Sequence, residues 1–472
     1  MRAPIHRRLA RQFDLFRRPF LQLGGLPFTD ALSSEVISEA LATIKAPWND
    51  RIFSPLVTLW VFLEQVLNPD HSCRAAVARL IAYRVARGMP ACSSETGAYC
   101  QARKRLPLSF FATVARRVGH ALDSRSKAEW LWKGRRVHLF DGSSVMMPET
   151  PENRREYPLT YNQTLGGAFP VARIAAVISL SCGAILDLGI CRYAGKGQSE
   201  SGLLRKMWGL FRAGDVMLAD RLMCAWTEMV ILKRRGVDTV CRLTSHRRAD
   251  FRRGTRLGKY DHIVEWKKPQ KPRTVDRELY DSLPGSMFVR ECRVAVVQRG
   301  FRTRSVIVVT TILDAERYTK GDFAGLYRAR WNVELDLRSI KSVMQMDLLR
   351  CKAPELVRKE IWVHVLAYNL IRTVAAQAAR EHELAPREIS FKATLQVLEA
   401  FRPVIISQAH PGHDHRLTLY HEVLRAISRH RVGDRPDRFE PRAAKRKPSH
   451  YDFLKKERRL VKLDILKRLK HI

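Results

Sequence analysis

The sequence predicts an α/β protein in which a mixed β-sheet flanked by helices is preceded by a helical region, interrupted by a β-rich insertion and followed by a basic tail. Three observations carry this expectation. Between residues 135 and 245, strand-length apolar runs alternate with helical stretches in the order β, β, β, α, β, α, β, which builds a sheet with helices on its faces. From about Phe28 to Arg125 the apolar periodicity is helical. From about Ser245 to Arg290 the pattern loosens into a stretch rich in Lys and Arg and too long for a plain loop in a compact domain, which continues into a hairpin. The domain boundaries that follow are an N-terminal helical unit at 1–134, an α/β unit at 135–380 with its insertion at 245–310, and a helical and basic region at 381–472.

In the helical region, Ser54-Pro55 is a cap and first-turn pair opening PLVTLWVFLEQVL. After the turn Asn68-Pro69-Asp70, HSCRAAVARLIAYRVARG reads as a second helix ended by Gly88, and SSETGAYCQARKRLP as a third, capped by Ser94. This basic helical module suits DNA-end recognition, and equally a packing domain with a solvated face. RRVHLFDGSSVMMP then gives a short strand with Asp141 at its end, and FPVARIAAVISLSCGAILDLGICRYAG gives two strands turned at Cys182-Gly183. ESGLLRKMWGLFRAG is a helix stopped by Gly214, DVMLADRL a buried strand ending at Asp220, CAWTEMVILKRRG a helix and VDTVCRL a strand. In the insertion, ECRVAVVQRGFRTRSVIVVTTI reads as a hairpin around Arg299-Gly300. Trp266 is the candidate there for stacking on an unpaired base, against the commoner fate of a half-buried strand tryptophan. LVRKEIWVHVLAYNLIRTVAAQAA is a long amphipathic helix able to cover the sheet. The Pro-interrupted basic tail is expected to lack order alone and to meet phosphates.

Charge narrows the partners. There are 84 Lys and Arg against 47 Asp and Glu, a net +37 spread along the chain, which attracts nucleic acid in a salt-dependent way. A ribosomal protein is as basic but rarely combines this length with 46% hydrophobic residues. The apolar runs near Pro55–Leu63 and Ile361–Ala379 are too short or are broken by His364, Asn369 and Arg372, so a soluble protein without a membrane partner is expected. Nine cysteines with no CxxC or Cys/His spacing point to reduced thiols in a cytosolic compartment. The Arg-rich first residues imitate a transit peptide, but Asp14 and the absence of a Ser-rich flank favour a basic arm on DNA. GICRYAGKG, from Gly189 to Gly197, has one residue too many for a phosphate loop and no Ser or Thr after Lys196, so no nucleotide cofactor is expected.

The stretch YRARWNVELDLRSIK, from Tyr327 to Lys341, organises the rest. At about 100° per residue, Tyr327, Arg330, Glu334 and Lys341 fall within roughly 60° of one another on a helix. The plain alternative is an exposed helix with an ion pair between Arg330 and Glu334. Together with Asp141 and Asp220, however, Glu334 completes three hard oxygen ligands able to hold two Mg²⁺ or Mn²⁺ ions about 4 Å apart. One ion would activate water or a 3′-hydroxyl and the other would stabilise the leaving oxygen. Asp336 lies about 200° round the helix from Glu334 and cannot share the site. Asp187, in ILDLG, is a weaker rival.

LFDGSS around Asp141, LADR around Asp220 and Tyr-x2-Arg-x3-Glu-x6-Lys from Tyr327 to Lys341 resemble the DDE transposases of the IS4 group of bacterial insertion sequences. The resemblance runs from about Val137 to Arg372 and includes HVLAYNLIR; Leu222, where relatives often carry a smaller residue, is a mild departure. It implies an RNase H-like core with a β-rich insertion before the glutamate, Mg²⁺ dependence, and cut-and-paste transposition through hairpin ends. Asp141, Asp220 and Glu334 would ligate metal, and Tyr327, Arg330 and Lys341 would grip phosphates beside the cleaved end. The implied partners are double-stranded DNA, as terminal inverted repeats and target, and a second copy in a dimeric synaptic complex. The implied place is the bacterial cytoplasm, on the nucleoid. The tryptophan with which relatives hold a flipped base has no certain match. A non-catalytic repressor would have lost a carboxylate, and none is lost; a nuclease lacking strand transfer would use the same site.

Overall fold

The computed structural model describes residues 12, 17–22, 28, 31–48, 51–159, 169–195, 197–295, 305–407, 413–432, 456 and 458–469. Among the described residues five α-helices precede the first strand, α1 (Ser34–Ala42), α2 (Pro55–Leu67), α3 (Cys73–Ala86), α4 (Gly97–Arg105) and α5 (Leu108–Ser124). Ser33, Ser54 and Ser72 cap the first three, each side chain accepting a first-turn backbone N–H that would otherwise lack a partner. Ser94 does not cap the fourth: it begins later, behind Thr96, and no side chain caps it.

Nine strands form one mixed sheet: β1 (Val137–Met146), β2 (Val171–Ser179), β3 (Ile185–Arg192), β4 (Val216–Ala219), β5 (Asp238–Arg242), β6 (Thr255–Gly258), β7 (Asp261–Lys267), β8 (Ser286–Ala295) and β9 (Ser305–Thr310). Their order across the sheet is β3-β2-β1-β4-β5-β9-β8-β7-β6. β1, β4 and β5 run parallel, and the other neighbours are antiparallel. Parallel neighbours need crossover connections. After α6 (Pro151–Glu156), α7 (Glu200–Met207) and α8 (Trp226–Arg234) precede β4 and β5 and supply two of them. The 245–310 stretch does not build a sheet of its own, because β9 pairs with β5 and its other strands extend the same sheet outward. β8 and β9 are antiparallel neighbours as the sequence predicts, and their turn at Arg299-Gly300 lies outside the described residues.

The remaining helices are α9 (Arg277–Asp281), α10 (Lys320–Ala329), α11 (Trp331–Arg338), α12 (Pro354–Glu381), α13 (Phe391–Ser407), α14 (His413–Ser428) and α15 (Arg458–Leu469). α15 lies in the basic tail, of which residues 433–455 are outside the described residues, as is most of the N-terminal arm. The sequence predicts an amphipathic α12; the structure buries nearly every residue from Leu356 to Ala379, because α2, α5 and α14 pack on it as well as β3. A helix enclosed in this way has no solvated face, and its polar side chains become ties. Asn369 accepts the Ile185 N–H at 2.8 Å and donates to the carbonyls of Ile185 at 2.8 Å and Ala115 at 3.0 Å, pinning α12 to α5 and to the start of β3. Gly119 makes this approach possible, since a Cβ there would lie 2.3 Å from the Ile185 oxygen. Gly119→Ala is therefore expected to lower stability by roughly 1–3 kcal/mol despite alanine's better helix propensity. A urea melt with an unchanged midpoint would show that α5 can back away. Among the described residues no helix is long and apolar enough to cross a membrane, and all nine cysteines are free.

Candidate active site

The β1–β4 register brings the two aspartates together. Parallel pairing runs from Val137↔Val216 to Phe140↔Ala219, so the next residues, Asp141 and Asp220, stand side by side where that pairing stops. The sequence reading ends β1 at Asp141, whereas the strand continues to Met146 against β2. What ends is the contact with β4, where the chain turns away through a 3-10 turn from Arg221 to Met223. Asp220 caps that turn, accepting the Leu222 N–H at 2.8 Å.

The signature helix is not continuous. α10 and α11 meet at Arg330, and a π-helical turn follows from Ser339 to Val343. An extra residue in that turn breaks the 100° count to Lys341. The side chains converge nonetheless. The Arg330 guanidinium lies between two carboxylates, its Nη1 3.7 Å from Asp141 Oδ2 and its Nη2 donating to Glu334 Oε1 at 2.8 Å. The pair with Glu334 is the one the plain reading of the helix anticipates, and Asp141 makes it a bridge. Tyr327 lies beside the same guanidinium, 5.9 Å from its ring centroid. Lys341 donates to Ser143 Oγ at 2.9 Å, which sets it two residues along β1 from Asp141.

Burial chiefly pushes the Asp141 carboxyl up to about 6, with Asp220 and Glu200 adding to the rise, while the Gly142 N–H and Arg330 oppose it. Burial likewise pushes the Tyr327 phenol up to about 12, leaving it a neutral hydrogen-bond donor at physiological pH. Glu200, the first residue of α7, is the neighbour that sequence reasoning misses. Its carboxylate fills the space over Gly142, where an added Cβ would lie 2.3 Å from Glu200 Cδ. The available signal is a glycine inside a strand directly after a candidate ligand, a position that often marks close approach by another group.

Other expectations resolve differently. Asp336 is fully buried among Tyr368, Arg372 and Arg387, away from Glu334. Asp187 pairs with Arg116 at 2.7 Å. Trp266 is the base-stacking candidate of the sequence. It is 4% exposed on β7, donates its indole N–H to Glu291 at 2.9 Å, and has the Arg247 guanidinium 4.1 Å from its ring centroid. Its edge and one face are therefore engaged in packing within the protein, and the side chain is buried rather than half-buried.

Among the described residues no three His, Cys, Asp or Glu side chains are grouped so as to hold one metal ion. The donor chemistry still suits a hard cation: carboxylates from two adjacent strands and one helix, with a guanidinium supplying the positive charge between two of them.

A mixed sheet whose central parallel pairing gives way to two adjacent aspartates, faced by a helix carrying a glutamate among cations, is suited to phosphoryl transfer on a polyanion. Residues 132–370 match the family described as Transposase DDE domain. Over 398 residues the chain is 27% identical to the transposase InsG for insertion sequence element IS4 of Escherichia coli K12, covering 81% of this chain and 83% of that protein. It is 37% identical over 65 residues to the transposase for insertion sequence element IS421 of Escherichia coli, 14% of this chain and 18% of that protein. The piggyBac transposase synaptic complex with hairpin DNA superposes with a TM-score of 0.43 at 9% identity, covering 89% of this chain and 85% of that one. The chain belongs to the DDE transposases of the IS4 family.

Proposed function

We propose that this transposase binds the terminal inverted repeats of its own element and cuts and joins DNA at Asp141, Asp220 and Glu334, with two Mg²⁺ or Mn²⁺ ions as cofactors. The observation that carries the reading is the β1–β4 register, which sets two aspartates side by side under the helix of Glu334. Bound divalent ions would supply the charge that activates the attacking oxygen and stabilises the leaving one. The chain's own part begins with Arg330. Its guanidinium is held by Asp141 and Glu334, and a DNA phosphate arriving beside it competes for the same donors. Transfer of Arg330 from the carboxylates to the phosphate would free both acids as ligands and fix the DNA end. Lys341, at the Ser143 end of the site, and the neutral Tyr327 phenol would hold neighbouring phosphates.

We read β3-β2-β1-β4-β5 as an RNase H-like core, β6 to β9 as its insertion, residues 1–134 as the end-binding unit and the C-terminal region as a further phosphate contact. A homodimer would assemble the two ends, with hairpins as the intermediate. Double-stranded fragments carrying the element's termini, incubated with purified protein with and without Mg²⁺, test this. Metal-dependent nicking followed by joining is expected. Binding without cleavage would instead indicate a repressor, and nicking without joining a nuclease. Arg330→Ala or Lys341→Ala is expected to reduce joining or hairpin formation about a hundredfold, the scale of one lost charge-stabilising contact, while end binding in a gel shift survives. Wild-type yields from both variants would return this helix to a surface role.

A further inference from the structure

A second cluster of nucleophilic side chains, separate from the carboxylates, surrounds Arg103 on α4. This arginine is 4% exposed, and Tyr99 and Phe62 lie 4.5 and 4.9 Å from its guanidinium as ring centroids. Among the described residues no carboxylate stands at ion-pair distance from it. Glu360, whose charge it feels, is taken up by the backbone N–H groups of Arg350 and Cys351. The partners of the guanidinium are sulfur atoms and one amide. Nη2 lies 3.2 Å from Cys73 Sγ and 3.4 Å from Cys100 Sγ; Nη1 lies 3.9 Å from Cys351 Sγ and 3.1 Å from Gln65 Oε1. Three thiols from distant parts of the chain thus converge on one buried cation.

A buried guanidinium without an anion is strongly destabilising, and a thiol that gives up its proton supplies one. Geometry sets aside Cys351, which is buried, and leaves the adjacent pair Cys73 and Cys100, both partly open to solvent; Cys100 shares α4 with Arg103 and Lys104. Its sulfur is 4.0 Å from that of Cys73. The hydrogen bond with Cys100, and then burial, keep Cys73 protonated, while that same hydrogen bond and the guanidinium bring the Cys100 thiol down to about 5. Cys73 in turn lines an open surface cavity with Arg74, Ser94, Glu95 and Thr96, a route for small reagents.

We propose that Cys100 is a reactive thiolate, a modification site for soft electrophiles and hydroperoxides, with Cys73 as its disulfide partner. With a hydroperoxide, the Cys100 sulfur attacks the peroxide oxygen: the S–O bond forms, the O–O bond breaks, and the departing oxygen takes a proton from water. Cys73 then attacks the sulfenic sulfur: the S–S bond forms, the S–O bond breaks, and water leaves with the Cys73 proton. Two electrons pass from the thiol pair to the peroxide. The sulfurs would close from 4.0 Å to about 2 Å.

The test uses the reduced full-length protein, with iodoacetamide labelling at pH 6 followed peptide by peptide by mass spectrometry. Cys100 is expected to react about tenfold faster than free glutathione, its larger thiolate fraction outweighing its lower intrinsic nucleophilicity. Hydrogen peroxide should then yield a Cys73–Cys100 linked peptide. Cys100→Ser should abolish the link, and Cys73→Ser should leave a sulfenic acid at Cys100 that dimedone traps. Labelling no faster than glutathione, or peroxide products that spare Cys100 in the wild type, would overturn the proposal.

Discussion

Asp141→Asn is expected to abolish strand cleavage while making the folded protein more stable at neutral pH. The two effects have one origin. The carboxyl is pushed up to about 6, first by burial and then by Asp220 and Glu200. Its ordinary value is about 3.9, so between those values the unfolded chain holds fewer protons than the folded one. Stability contributed by this group is therefore full below about pH 4, falls as pH rises through about 6, and is absent at pH 7. A shift of this size corresponds to about 2–3 kcal/mol, an upper figure for a side chain that keeps some exposure. Asparagine keeps the shape and an acceptor for the Gly142 N–H, and it carries no charge to desolvate. Glu334 still pairs with Arg330, so no cation is abandoned. The variant should thus melt higher than wild type at pH 7 and nearly with it at pH 4, while losing at least about a thousandfold in Mg²⁺-dependent cleavage, the scale of losing one essential group in a charged site. End binding should persist. Mg²⁺ should raise the melting temperature of the wild type and not of the variant, because only a state that binds the ion gains from it. Alanine at Asp220 or Glu334 should lose cleavage equally. Retained cleavage in any of the three would remove that residue from the site, and a lower melt for Asp141→Asn at pH 7 would show that the carboxylate is stabilised where it stands.

What was legible in the sequence follows the range of the interactions involved. Asp141 and Asp220 stand out because a carboxylate after an apolar strand run is chemically unlike its neighbours, and both are side by side in the fold. The convergence of Tyr327, Arg330 and Glu334 is local to one helix and follows from its periodicity. Lys341 reaches β1 through a π-helical turn that no residue count announces. Glu200 and Trp266 escape for the opposite reason. Glu200 reaches the space over Gly142 because α7 packs on β2 and β3, and the Trp266 indole meets Glu291 only through the pairing of β7 with β8. The burial of α12 likewise depends on α2, α5 and α14 from both ends of the chain. These are non-local pairings, and side-chain pattern within a segment carries little information about them.

Asp336→Ala is expected to be the most destabilising single substitution near the site, although Asp336 holds no place in the proposed chemistry. Its fully buried carboxylate accepts from the Tyr368 hydroxyl at 2.9 Å, from Arg372 at 2.6 Å, and from Arg387 at 2.8 Å through Oδ1 and 2.7 Å through Oδ2. Arg387 also donates to the carbonyls of Leu180 at 2.7 Å and Ser179 at 2.6 Å. One carboxylate therefore joins α11 to α12, to the segment after it and to the end of β2. Alanine leaves two guanidinium groups without their anion in a buried site, which costs about 3–5 kcal/mol. Replacing the whole cluster with apolar side chains would cost far less, since the penalty comes from the orphaned cations and not from a large net gain of the pair. The effect separates from catalysis by measurement. The urea midpoint should fall sharply for Asp336→Ala and less for Asp336→Asn, which keeps an acceptor, while cleavage per folded molecule stays near wild type at low temperature. A wild-type midpoint would mean that the arginines find other acceptors. A normal midpoint with lost cleavage would move Asp336 into the site, against its position on the opposite side of α11 from Glu334.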